Sequence, residues 1–136
     1  MSLIPPVLAL IGWTFVMWVW LYATRIPAMR AARIDLEAVR RTGAKLELPA
    51  EVSRVADNYN HLHEQPTIFY ALALAAQLAN AVDGISVALA WSYVGLRVVH
   101  SFVQATRNVI TVRFFVFVAA SLVLLLLLIR TVLLLL

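Results

Sequence analysis

The sequence contains no cysteine. Disulfide frameworks, thiolate-bound metals and cysteine nucleophiles are therefore excluded, while a thiol-free chain suits either redox compartment. Charge is scarce as well. Asp, Glu, Lys and Arg make up 13% of the 136 residues, against about 25% in a typical soluble domain. No glycine-rich phosphate loop, Gly-x-Ser-x-Gly elbow or His-Glu-x-x-His spacing occurs. What fills the chain instead is apolar: 63% of residues, with a mean hydropathy of +0.90. A globule of this size lacks the interior to hide so many apolar side chains. Disorder over most of the chain is excluded, an ordinary soluble enzyme nearly so, and an integral membrane protein remains.

The apolar residues fall into four runs, which predict one all-α membrane domain over 1–136 with spans at about 3–29, 51–82, 85–105 and 113–135. About twenty helical residues cross a bilayer core. The first run opens on Pro5 and Pro6, tolerable in a first helical turn. It lacks the basic start and cleavage site of a signal peptide and is too long for one, so it reads as a span. Between the first two runs lies a basic loop, 30–50, where Arg30, Arg33, Arg40, Arg41 and Lys45 alternate with Asp35, Glu37 and Glu47. A helical piece is expected before Gly43, and a new helix after Pro49. Asp83–Gly84 reads as a tight turn. Most of the Lys and Arg lie in the 30–54 and 105–113 segments, which predicts that both face the cytoplasm. The basic excess, net +4, is a topology signal rather than a nucleic-acid one.

Polar residues inside the runs are the functional clue, because charge in a bilayer is costly and marks function by default. Asp57, Asn60, His61 and Glu64 recur at three and four residues, one face of a helix. In the third run Arg97, His100 and Gln104 do the same, Arg107 continues their stripe, and Arg113 opens the fourth run. Guanidinium groups in such a pocket suit a carboxylate ligand in bidentate geometry. The competing reading is structural: Glu64 pairs with Arg97 and only holds two helices together. His61-x-His63-Glu64 lacks zinc-protease spacing, so no metal is expected. Four short spans enclose little on their own, which favours an oligomer with a site between subunits.

Two blocks, "DNYNHLHEQPTIFYALAL" and "AWSYVGLRVVHSFVQATRNVITVR", resemble the MAPEG family, the membrane-associated proteins in eicosanoid and glutathione metabolism. Asn60, His61, Glu64 and Pro66 carry the first match, and Arg97, His100, Asn108 and Arg113 the second, within a likeness covering about residues 5–135. The likeness is to a divergent, bacterial-type member. It implies a four-helix membrane bundle that forms a homotrimer, in a bacterial inner membrane, with glutathione held between neighbouring subunits near the cytoplasmic face. By that resemblance Glu64 contacts the ammonium end of the tripeptide. Asn60, His61, Arg97, His100 and Gln104 complete the binding set, and Arg113 is the catalytic residue beside the thiol.

The chain also departs from the family's prostaglandin-synthase branch. Asn60–His61 stands where that branch has an arginine–asparagine pair, Gln104 where it has a tyrosine, Phe114 where it has a serine, and Phe117 where it has a second ligand-contacting tyrosine. A phenylalanine offers no hydrogen bond to a thiolate, which leaves that task to Arg113. Two functions are therefore expected as alternatives. One is a glutathione transferase or peroxidase acting on lipophilic electrophiles that enter from the bilayer. The other is a non-catalytic protein on the same trimeric scaffold, binding a lipid or another anion. Membrane lipids are expected partners in either case, and nucleic acid is not.

Overall fold

The computed structural model describes all residues, 1–136, as six helices and no strand. They are α1 (Ile4–Ala31), α2 (Leu36–Thr42), α3 (Ala50–His61), α4 (Gln65–Leu78), α5 (Gly84–Ala105) and α6 (Ile110–Leu135). Three of them, α1, α5 and α6, are long and apolar enough to cross a membrane. At 1.5 Å per residue they are about 42, 33 and 39 Å long. α6 is apolar on opposite faces: Leu122, Leu125, Leu126, Ile129 and Leu133 form an exposed stripe, as a lipid-facing helix requires, while Ala120, Leu124 and Leu127 are buried against the bundle.

Long-range hydrogen bonds set the direction of each element. The backbone N–H of Leu3 donates to Gln77 Oε1 (2.8 Å), which joins the start of α1 to the end of α4. Arg54 Nη1 donates to the carbonyl of Thr106 (2.9 Å), which joins the start of α3 to the end of α5. The α3–α4 segment thus runs the length of the bundle, antiparallel to α1 and α5. α2 lies outside it: Asp35 caps it by accepting from the N–H groups of Glu37 and Ala38, and Gly43, at φ 65°, ends it.

Lipid tails are as apolar as leucine, so packing and interhelical hydrogen bonds hold such a bundle together. Ala73, Ala76, Ala90 and Ala120 are fully buried and let α4, α5 and α6 approach closely. Trp13 Nε1 donates to Ser101 Oγ (3.0 Å), binding α1 to α5. Gln65 joins three helices, donating to Ser121 Oγ (2.7 Å) on α6 and accepting from the Tyr93 hydroxyl (3.3 Å) on α5. Each such bond contributes on the order of 0.6 kcal/mol in a membrane.

The stretch expected as one helix over 51–82 is two helices, broken at Leu62–Glu64. Pro66 is the cause. It has no N–H to give the Leu62 carbonyl, and its ring collides with that carbonyl in a continuous helix. Glu64 consequently takes a non-helical conformation (φ −95°, ψ −99°) and caps α4. The single polar face expected for Asp57, Asn60, His61 and Glu64 ends with α3 at His61.

Candidate functional site

The buried face of α3 carries Val52, Val55 and Asn58, followed by Leu62 just past its end. That of α5 carries Tyr93, Arg97, His100, Ser101 and Gln104. Where the two faces meet, the core turns polar. Arg97 is fully buried, and His100 is 2% exposed. The break before Pro66 supplies one partner. The His61 carbonyl, whose helical donor would be the Gln65 N–H, instead accepts from Glu64 N–H (3.2 Å) and Arg97 Nη2 (3.3 Å).

The same Nη2 lies 2.8 Å from His61 Nδ1. A guanidinium only donates, so Nδ1 is the acceptor and the neutral ring carries its proton on Nε2. That nitrogen faces the Glu64 carboxylate at 3.9 Å. The direct Glu64–Arg97 pair weighed in the sequence is thus replaced within the chain by a relay through His61. Glu64 itself has a side chain 68% exposed. The His61 ring stacks on His100, with centroids 4.8 Å apart and planes at 14°, and Phe117 leans against both.

These contacts leave much of the buried polarity unanswered. Arg97 Nε and Nη1, His100 Nδ1, Gln104 Oε1 and both amide atoms of Asn58 have no hydrogen-bond partner in the chain. An unmet buried polar group costs about 1–3 kcal/mol, and more when charged. They gather where α3 meets α5, an arrangement able to receive hydrogen bonds from a ligand or a partner group.

A cleft of about 240 Å³ opens beside the cluster, lined by His61, His100, Ile110, Arg113, Phe114 and Phe117. Arg113 is held there by Asn108, whose Oδ1 accepts from Nη1 (2.7 Å). Asn108 itself adopts the left-handed conformation (φ 50°) that ends α5, one that asparagine tolerates better than most residues. The turn between α5 and α6 therefore aims the guanidinium. A second cleft, about 200 Å³, lies across α3 against Phe15, Trp18, Tyr59 and Tyr70. It offers no guanidinium to an anion.

Of the residues singled out in the sequence, His61, His100 and Arg113 share the cleft wall, and Arg97 stands behind His61. Gln104 is buried one turn further along α5, whereas Asn60 and Glu64 are exposed. Asn58 was missed. Its signal is a polar residue set between Val55 and Leu62 on an otherwise apolar stripe.

Three long apolar helices with exposed apolar faces, packed around a polar cluster that is only partly satisfied within the chain, define a multi-pass membrane protein. The chain belongs to the MAPEG family, whose family model matches residues 3–133. No curated protein and no solved structure matches it.

Proposed function

We propose that this protein is a glutathione-dependent transferase or peroxidase acting on lipophilic electrophiles. It works as a homotrimer of four-crossing subunits, with the basic end in the cytoplasm. The observation that carries the reading is the guanidinium of Arg97, wholly buried with Nε and Nη1 unpartnered, behind a cleft that also presents Arg113. No acid of the chain forms an ion pair with either arginine. Such a pair calls for an anion, and glutathione brings two carboxylates together with a nucleophilic thiol.

Arg97, with His100 and Gln104 beside it on α5, would hold carboxylate and peptide groups. Exposed Glu64 and Asn60, next to His61, are free to take the ammonium end of a ligand shared with a neighbouring subunit. Arg113 favours a thiolate over a thiol by Coulomb attraction. Phe114 and Phe117 keep water from that contact, which strengthens it, and suit an apolar acceptor arriving from the bilayer.

One observation favours the second reading, a lipid- or anion-binding protein without catalysis. Phe114 and Phe117 line the cleft beside Arg113, and no hydroxyl in its wall supports a thiolate. Glutathione titration of the purified protein in mild detergent separates the two. The expected result is saturable binding at or below millimolar concentration, a rise in thiolate ultraviolet absorbance, and one trimeric mass by native mass spectrometry. Absence of saturable binding at millimolar glutathione overturns the enzyme reading and leaves the other.

A further inference from the structure

A different cleft, at the end of α1, has the chemistry of a headgroup site. It measures about 330 Å³ and is lined by Ile26, Met29, Arg30, Arg33, Ile34 and Leu36. Its position along the helix is informative. Arg30 stands about 39 Å from Ile4 along α1, farther than the roughly 30 Å of a bilayer's hydrocarbon core, so with Ile4 at one edge of that core Arg30 reaches the headgroup region on the other side. Ile26 and Met29 lie on α1, Ile34 and Leu36 just past its end, and the two arginines line the same cleft.

The nearby acids do not neutralise those arginines. Asp35 is engaged by the backbone N–H groups of Glu37 and Ala38 as the cap of α2. Glu37 is paired with Arg40 at 2.6 Å. Neither Arg30 nor Arg33 makes an ion pair. Arg33 moreover sits at φ 50°, a left-handed conformation that a long side chain rarely adopts. It is the turn where the chain leaves α1 and folds α2 back toward it.

We infer that this cleft binds one anionic phospholipid, its phosphodiester held between Arg30 and Arg33 and an acyl chain laid along Ile26, Met29, Ile34 and Leu36. The phosphodiester supplies two unbridged oxygens, and each guanidinium offers a matching fork of N–H donors. The apolar floor is what selects a lipid over free phosphate. Within the chain its lining shares no residue with the cleft at Arg113, and its test does not depend on glutathione.

Native mass spectrometry of the purified protein in mild detergent tests it, with phosphatidylglycerol, phosphatidylcholine and inorganic phosphate as probes. Phosphatidylglycerol should be retained at one molecule per chain and at far lower concentration than phosphatidylcholine. Arg30→Gln should weaken that retention about fivefold, and Arg30→Gln with Arg33→Gln about 25-fold, as expected for a basic side chain at an anionic surface. Arg107→Gln, at the same end but outside the cleft, should leave it unchanged. Equal retention of the two lipids overturns the proposal. So does an equal loss in Arg107→Gln, which would mean a diffuse surface potential. Displacement of phosphatidylglycerol by inorganic phosphate overturns it too, by showing a site for the free anion.

Discussion

At the end of the bundle where α4 turns into α5, Arg130 meets Asp83 through both Nε (3.1 Å) and Nη2. Asp83 also accepts from the backbone N–H and the hydroxyl of Ser86 as the cap of α5. Each charge there has its answer within the chain. At the other end Arg97 lies deeper, with a histidine as its only side-chain partner, and Asn58, His100 and Gln104 beside it hold unmet polar atoms. Both places carry an arginine inside or at the edge of a span. The difference separates a charge that fastens helices from a charge whose donors are largely unpartnered within the chain. An arginine in a membrane helix is thus not diagnostic by itself. What it lacks within its own chain is.

The sharpest way to test that contrast is at Arg113, where the largest effect is expected. Arg113→Leu should remove the thiolate absorbance seen on glutathione addition and reduce turnover by on the order of 100-fold, as loss of one preorganised charge-stabilising group does. Binding should weaken much less, because the lost interaction acts on charge at the reacting sulfur. A parallel fall in binding and turnover would make Arg113 a general anchor for the ligand.

Arg97→Met comes next and runs in two directions. Replacing a buried, unpaired charge by an apolar residue of similar length should raise the stability of the unliganded protein, by about 1–4 kcal/mol if no neighbour completes the cluster. The same change should abolish stabilisation by added glutathione. Thermal unfolding with and without ligand reads both effects. A loss of stability without ligand would show that a neighbouring subunit already answers Arg97, and the contrast between the two ends would then vanish in the assembly.

These residues are unevenly legible in the sequence, and the reason is physical. Arg97, His100 and Gln104 stand at helical spacing on one uninterrupted helix, so periodicity alone put them on one face, and that face is buried. The α2 end at Gly43 and the α3 start after Pro49 were likewise local signals. Asp57 and Asn60 do share one face of α3 with His61, but both are exposed, and Glu64 joined them only by counting past the end of α3. The proline ends that face, and the residue α3 buries is Asn58. The Asp83–Arg130 pair joins residues 47 apart in sequence, and no spacing announces it. The role of Asn108 in aiming Arg113 depends on a left-handed turn that the sequence merely permits.

His61 offers a finer test, because it stands between Arg97 and Glu64. His61→Ala should leave Arg97 without its one side-chain acceptor and cost about 1–3 kcal/mol. Glu64→Gln should cost less than about 1 kcal/mol, its carboxylate being largely in water. In a double-mutant cycle read by thermal unfolding, Glu64→Gln should lose most of its small effect once His61 is gone. Strong coupling of Glu64 to Arg97 in the His61→Ala background would restore the direct pair expected from the sequence and place it between subunits.

The smallest effect belongs to the satisfied end, and pH exposes it. Arg130, and then the Ser86 N–H and hydroxyl, hold the Asp83 carboxyl well below the usual carboxylate range. The unfolded chain therefore takes up this proton more readily than the folded one. The contribution is fully present above an ordinary aspartate pKa of about 4, and it is lost as pH falls below that toward the folded value. Unfolding temperature measured between about pH 6 and pH 3 should accordingly decline in wild type, and part of that decline should disappear in Asp83→Asn. Arg130→Gln should flatten the curve only partly, since the Ser86 donors still favour the carboxylate. Glutathione binding measured at neutral pH should be unchanged in both variants, because neither side chain reaches the Arg97–Arg113 cluster. If Asp83→Asn weakened that binding as much as it altered the low-pH curve, the two ends would be one coupled system, and the division between fastening and unpartnered charges would not hold.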